Sequence, residues 1–160
     1  MVDPVLSLST RTVSLIVFAL WVPVVASFRF APGNRWVEYV GIFFHLAMFL
    51  LVFKLPAPEW AKAAGYGWLL LDVAAGALMI NHVPRTIAGN MRLGGHIFAG
   101  IWFVMASLQG SFAAKLAGVP AGLFLFAYTF ASPFLPPVWL SPASIFVLVW
   151  LGIIAGQNGI

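Results

Sequence analysis

The chain contains no cysteine, and of its 160 residues only four are acidic and eight basic. The missing thiols exclude disulfide bridges, thiolate metal centres and cysteine nucleophiles. The scarcity of charge excludes more. Charged residues make up 8% of the chain and hydrophobic ones 62%, with a mean hydropathy of +1.03, whereas soluble domains are roughly 45–50% apolar and about 25% charged. No soluble fold covers that much apolar surface with so few charges, so the bilayer is expected to be the solvent.

Other signals are absent too. The apolar runs are continuous, without the alternation of a membrane β-barrel, so spanning helices are expected. No HExxH metal motif and no GxSxG serine elbow occurs. Neither an internal repeat at a fixed period nor a similarity between the two halves supports an inverted-repeat transporter. The net charge of +4 does not indicate nucleic acid, because the basic residues stand singly at the ends of apolar runs, where they anchor to lipid headgroups.

At about 20 residues per span, the chain has room for roughly five to six crossings. It reads as an all-α, polytopic membrane bundle, one domain over residues 1–160, with six helices, or five if the fifth is re-entrant. The first run follows Arg11 and contains Pro23. Its Val25-Ala26-Ser27 resembles a signal-peptide cleavage site, but Arg29 follows as an interface anchor and a spanning helix is the better reading. Turn signals at Pro32-Gly33-Asn34 and Pro56–Pro58 bound a second helix over Val37–Leu55. A third covers Ala63–Asn81 and is stopped by Val83-Pro84. A polar connector runs from His82 to Arg92, followed by a fourth helix over Leu93–Ala114. A turn at Lys115–Pro120, a fifth helix over Ala121–Leu135 broken by prolines, and a sixth from Ser141-Pro142 to Gly156 complete the chain.

With that layout one side receives Arg11, Lys54, Lys62 and Lys115 and the other Arg29, Arg35, Arg85 and Arg92. Four against four gives no positive-inside bias, so charge leaves the orientation undetermined.

The segment from Asp72 to Ser111 concentrates the polar groups. An aspartate at the centre of a spanning helix costs roughly 2.5–3.5 kcal/mol, so Asp72 needs a partner, water or a proton. It reads as a titrating or cation-binding group, or alternatively as a hydrogen-bonded lock between helices. His45 and His96 lie inside helices 2 and 4. They are expected to be its partners, or to hold a haem iron between them as paired imidazoles; simple interhelical hydrogen bonding is the plainer reading. Their depths do not match, His45 being about eight residues into its helix and His96 about four. Ser107 and Gln109 fall on two stripes of helix 4 at helical spacing and extend this intramembrane polar site. His82, Arg85, Asn90 and Arg92 form an entrance cluster able to grip an anionic headgroup, carboxylate or phosphate, or to act as ordinary interface anchors. No metal site is expected. Trp36, Trp60 and Trp139 suit an aromatic belt, while Trp102 and Trp150 lie deep.

The expected function is a small transport or channel-type protein, linked to protons or cations. It would be surrounded by membrane lipids, assembled as a homo-oligomer and without nucleic acid, with a small ion or molecule as ligand. The alternatives are a membrane enzyme or b-type haem redox subunit, and a lipid- or sterol-binding regulatory protein.

Overall fold

A computed structural model describes residues 7–31 and 33–157, without the side chain of Arg29. The expected helices are there, with no strand among the described residues. They are α1 (Thr10–Phe30), α2 (Trp36–Lys54), α3 (Glu59–Ile80), α4 (Arg85–Leu108), α5 (Phe112–Ala131) and α6 (Ser141–Gly156), with a short 3₁₀ turn at Pro137–Leu140 before α6. All six are long and apolar enough to cross a membrane, the 3₁₀ turn counting with α6. Helix α5 is continuous over 20 residues, long and apolar enough for a full span and without the break a re-entrant segment requires.

Each helix packs on its neighbours in sequence, and α6 returns to α1 to close a ring. The alternating directions put two sets of connectors at opposite ends. One end carries residues 31, 33–35, 81–84 and 132–140, and it is tied by Arg85 donating to the Gly33 carbonyl at 2.7 Å. The other carries 55–58 and 109–111, tied by Gln157 donating to Ser111 Oγ at 2.5 Å. We refer to these as the arginine end and the lysine end.

Two boundaries differ from the sequence reading. Helix α4 begins at Arg85, so the connector shrinks to 81–84 and Arg92 lies inside the helix. Pro84, at the position before the first turn, lacks an N–H and has φ −52°, which favours starting a helix there. His82 makes the reversal possible with a left-handed φ of 65°. The second difference is at Lys115–Pro120, which forms part of α5 and not a turn. Ser111 caps that helix, accepting from the Ala114 N–H at 3.2 Å, the arrangement serine favours at a helix start. Pro23 and Pro120 both lie within continuous helices.

Gly118, within the expected turn, instead has a packing role inside α5. A Cβ there would fall 1.8 Å from Ser107 Oγ and 2.6 Å from the Trp150 ring. Closer to the arginine end, Gly100 and Gly122 face each other, and a Cβ on either would come within 2.7 Å of the other's carbonyl oxygen. Thr129 then donates to the Leu93 carbonyl at 2.9 Å. Contacts at Leu93, Gly100 and Ser107 recur every seven residues along α4, so small residues let α4 and α5 approach along their length.

Gly100→Ala is therefore expected to lower the thermal midpoint in detergent by an amount equivalent to roughly 1–3 kcal/mol. Gly94→Ala, on the same helix with nothing within 4 Å of its Cβ position, is expected to be neutral or slightly stabilising.

Candidate functional site

Asp72 is 2% exposed and faces the inside of the ring. Its surroundings explain how a membrane helix carries it. Trp68, one turn earlier on α3, donates its indole N–H to Asp72 Oδ2. His45 Nε2 from α2 lies 3.1 Å from the same oxygen. Arg92 Nε from α4 lies 3.3 Å from Oδ1, an ion pair without an aligned hydrogen bond. Arg92 also donates to Glu38 Oε2 of α2 at 2.7 Å. Gly76, one turn after Asp72, leaves the space for this arm: its Cβ position is 3.8 Å from the Arg92 guanidinium and 3.0 Å from Ile42.

The contacts of His45 constrain where hydrogens can sit. His45 Nδ1 lies 2.6 Å from the Gly41 carbonyl, and a carbonyl only accepts, so Nδ1 carries a hydrogen. A bare Nε2 facing a bare carboxylate would be repulsive. The His45–Asp72 pair therefore holds one further proton, on either partner. With that proton the pair is neutral, and Arg92 balances Glu38. The four groups together carry no net charge, which makes their burial tolerable; a buried ion without its partner costs several kcal/mol.

His96 lies one turn beyond Arg92 on α4. It is 8% exposed, and its Nδ1 has no hydrogen-bond partner. The depths that disagreed in the sequence agree here. His45 is nine residues from the start of α2, His96 eleven from the start of α4, and Asp72 eight from the end of α3, all counted from the arginine end. At 1.5 Å per residue these are about 12 to 16 Å deep.

A cavity of about 420 Å³ runs in from the arginine end, with Glu38, His45, Asp72, Arg92 and His96 on its wall. Trp21 and Phe44 stack at 4.4 Å on another side, and Trp21 donates to the Ser144 carbonyl at 3.1 Å. The cavity stops at an aromatic floor. Trp102 and Phe103 pack on each other and each on both Trp68 and Trp150, with ring centroids 5.0 to 6.0 Å apart. Trp102 and Trp150 are fully buried.

Of the intramembrane residues expected from sequence, the structure brings together Asp72, His45 and His96 and leaves out two. Ser107 is buried beyond the floor against Gly118, and Gln109 lies past the end of α4, lining a separate hollow of about 170 Å³ at the lysine end. The entrance cluster also divides. His82 and Arg85 stand at the cavity's arginine end, where Arg35 Nη1 is 3.3 Å from His82 Nε2. Asn90 is exposed on α4 and lines no hollow described here, and Arg92 belongs to the buried network.

Glu38, Trp68 and Gly41 were missed by sequence reasoning. Trp68 alone carried a local signal, its four-residue spacing from Asp72. A haem between His45 and His96 fits this geometry poorly, because both ring nitrogens of His45 are already engaged. Among the described residues no three His, Asp or Glu side chains are grouped to hold a metal ion.

By its helices the chain is a multi-pass membrane protein, and its polar groups meet in one buried network beside a one-ended cavity. No protein family, characterised protein or solved structure matches it.

Arg92→Gln removes the partner of two carboxylates at once and is expected to destabilise the protein, by less than the roughly 3–5 kcal/mol of a fully buried pair because Arg92 and Glu38 are only part-buried. The Glu38→Gln/Arg92→Gln double variant should lose less than the sum of the two single losses, measured by thermal unfolding in one detergent.

Proposed function

We infer that this protein is a membrane carrier for a small molecule, coupled to the proton held by His45 and Asp72. One observation carries the reading: two hollows open toward opposite ends, with a single aromatic layer between them. The larger, of about 420 Å³, ends at Trp68 and Phe103, and the smaller, of about 170 Å³, begins at Trp150. A channel needs a continuous path, and this floor interrupts one. A carrier needs a site open to one side at a time.

The floor itself supports the idea of a second state. Trp102 Nε1 and Trp150 Nε1 in the floor, and Ser107 Oγ just beyond it, are buried without a protein hydrogen-bond partner, and each unmade hydrogen bond costs about 1–3 kcal/mol. Opening toward the lysine end would give all three access to water. The proton supplies the coupling. Without it the network carries one uncompensated negative charge in an apolar wall, which favours a state in which water reaches Asp72. A fixed lipid- or small-molecule-binding pocket is the rival reading.

Because the chain has no cysteine, a single introduced thiol reports access from either side. Val147 is 4% exposed and lines the larger cavity. In proteoliposomes Val147→Cys is expected to react with a membrane-impermeant thiol reagent applied at either face. Labelling from the arginine end alone would contradict a carrier and favour a fixed pocket. In the same background Asp72→Asn, which has no carboxyl proton to exchange, is expected to remain folded and to lose labelling from the lysine end.

A further inference from the structure

The larger cavity continues outward into a polar vestibule of about 170 Å³, bounded by Arg35, His82 and Arg85, and the two spaces share Gly33, Asn34, Glu38, Met79 and Arg85. Two features of this joint space are left over by the network described above. Arg35 and Arg85 have no carboxylate partner among the described residues; their contacts are the His82 ring and the Gly33 carbonyl. The one carboxylate nearby, Glu38, is already held by Arg92. Deeper in, His96 Nδ1 is buried on the cavity wall without a partner.

We propose that the ligand is an elongated monoanion with an apolar, aromatic-compatible body and a hydrogen-bonding group at its far end, bound with its anionic head at Arg35 and Arg85 and its far end at His96. The proposal rests on reading this cavity as the substrate site. Charge sets the direction of binding. An anion at depth would meet a network in which Arg92 and His45 are already committed to Glu38 and Asp72, whereas at the vestibule it meets two guanidinium groups without a carboxylate, suited to carboxylate or phosphate oxygens. Shape sets the length. Arg85 and His96 are eleven residues apart on one helix, about 16 Å along its axis, and the space between them passes Phe28, Trp21 and Phe44. A free inorganic anion fills none of that apolar length. An anion entering with the His45–Asp72 proton in place would also cross without leaving an uncompensated charge in the network.

The test is calorimetric titration of the full chain in phosphatidylcholine nanodiscs with para-hydroxybiphenylcarboxylate, its primary amide, the acid lacking the hydroxyl, and inorganic phosphate. The hydroxy acid is expected to bind about tenfold or more tighter than its amide, as one charge-assisted contact allows, and inorganic phosphate is expected not to bind. Arg35→Gln should bring acid and amide close to equal affinity. Arg85→Gln, which also gives up its bond to Gly33, should do the same if the vestibule holds the head. His96→Phe should erase the advantage of the hydroxyl while keeping the preference for acid over amide. Nanodiscs with added phosphatidylglycerol distinguish the source: competition assigns the anion to the lipid phase, and none assigns it to a soluble acid. Equal binding of acid and amide, an equal loss of both in Arg35→Gln, or no binding of the acid overturns the proposal. Failure here alongside two-sided labelling of Val147→Cys would leave the carrier and remove only this ligand class; anion-selective binding with one-sided labelling would do the reverse.

Discussion

An aspartate in the middle of a membrane helix is the constraint on which this structure depends. Asp72 is nearly inaccessible, and an unpartnered carboxylate there would cost several kcal/mol. Each neighbouring choice follows from meeting that cost. Trp68 sits one turn away to donate, Gly76 leaves room for an arginine arm, and α4 begins far enough back to bring Arg92 to the same depth. Arg92 would in turn bring a surplus positive charge, which Glu38 balances from α2. The result is a polar knot joining three helices on one side of the ring.

The rest of the bundle does the opposite work with apolar groups. Glycines at 100, 118 and 122 let α4 and α5 come close enough for backbone carbonyls and small side chains to touch. On the lysine side of the knot the fully buried Trp102 and Trp150 close the interior, leaving only the smaller hollow beyond them. On the arginine side the filling is incomplete, and the space left over becomes the cavity. A closed ring crossed by an aromatic layer, with the larger hollow on its arginine side and the smaller on its lysine side, is thus a direct result of where the large aromatic residues fall along the helices.

Much of this was legible in the sequence, and the parts that were not have physical reasons. Six spans follow from composition and from the prolines and glycines that separate the runs. Asp72, His45 and His96 stood out because polar groups are costly there, and that cost is visible without any structure. The start of α4 was hidden by its own polarity. Arg85, Asn90 and Arg92 look like a loop when counted by hydropathy, yet Arg85 ties the helix start to Gly33 at the mouth of the cavity, Asn90 is exposed and Arg92 points into a polar site. That single boundary placed His96 too shallow and made the two histidines appear mismatched. Gly118 and Pro120 resembled a turn because the same residues serve turns and close helix packing. Glu38 was visible only as an acid in the first turn of its helix, since its partner lies 54 residues away, and pairing at that separation depends on the register of helices in three dimensions. Ser107 and Gln109 share a helix with His96, but one-dimensional spacing does not reveal that an aromatic layer lies between.

The proton count at His45 and Asp72 is the centre of this account, because it makes the knot neutral and gives the cavity something to exchange. The nitrogen resonances of isotope-labelled histidine rings, recorded by solid-state NMR in lipid bilayers and assigned through a His45 variant, measure it most directly. The expected result is a His45 ring whose Nδ1 carries a hydrogen and whose Nε2 is hydrogen-bonded, with the Nε2 signal moving in Asp72→Asn. A His45 ring with a bare Nδ1, or an Nε2 signal unchanged by Asp72→Asn, would contradict it.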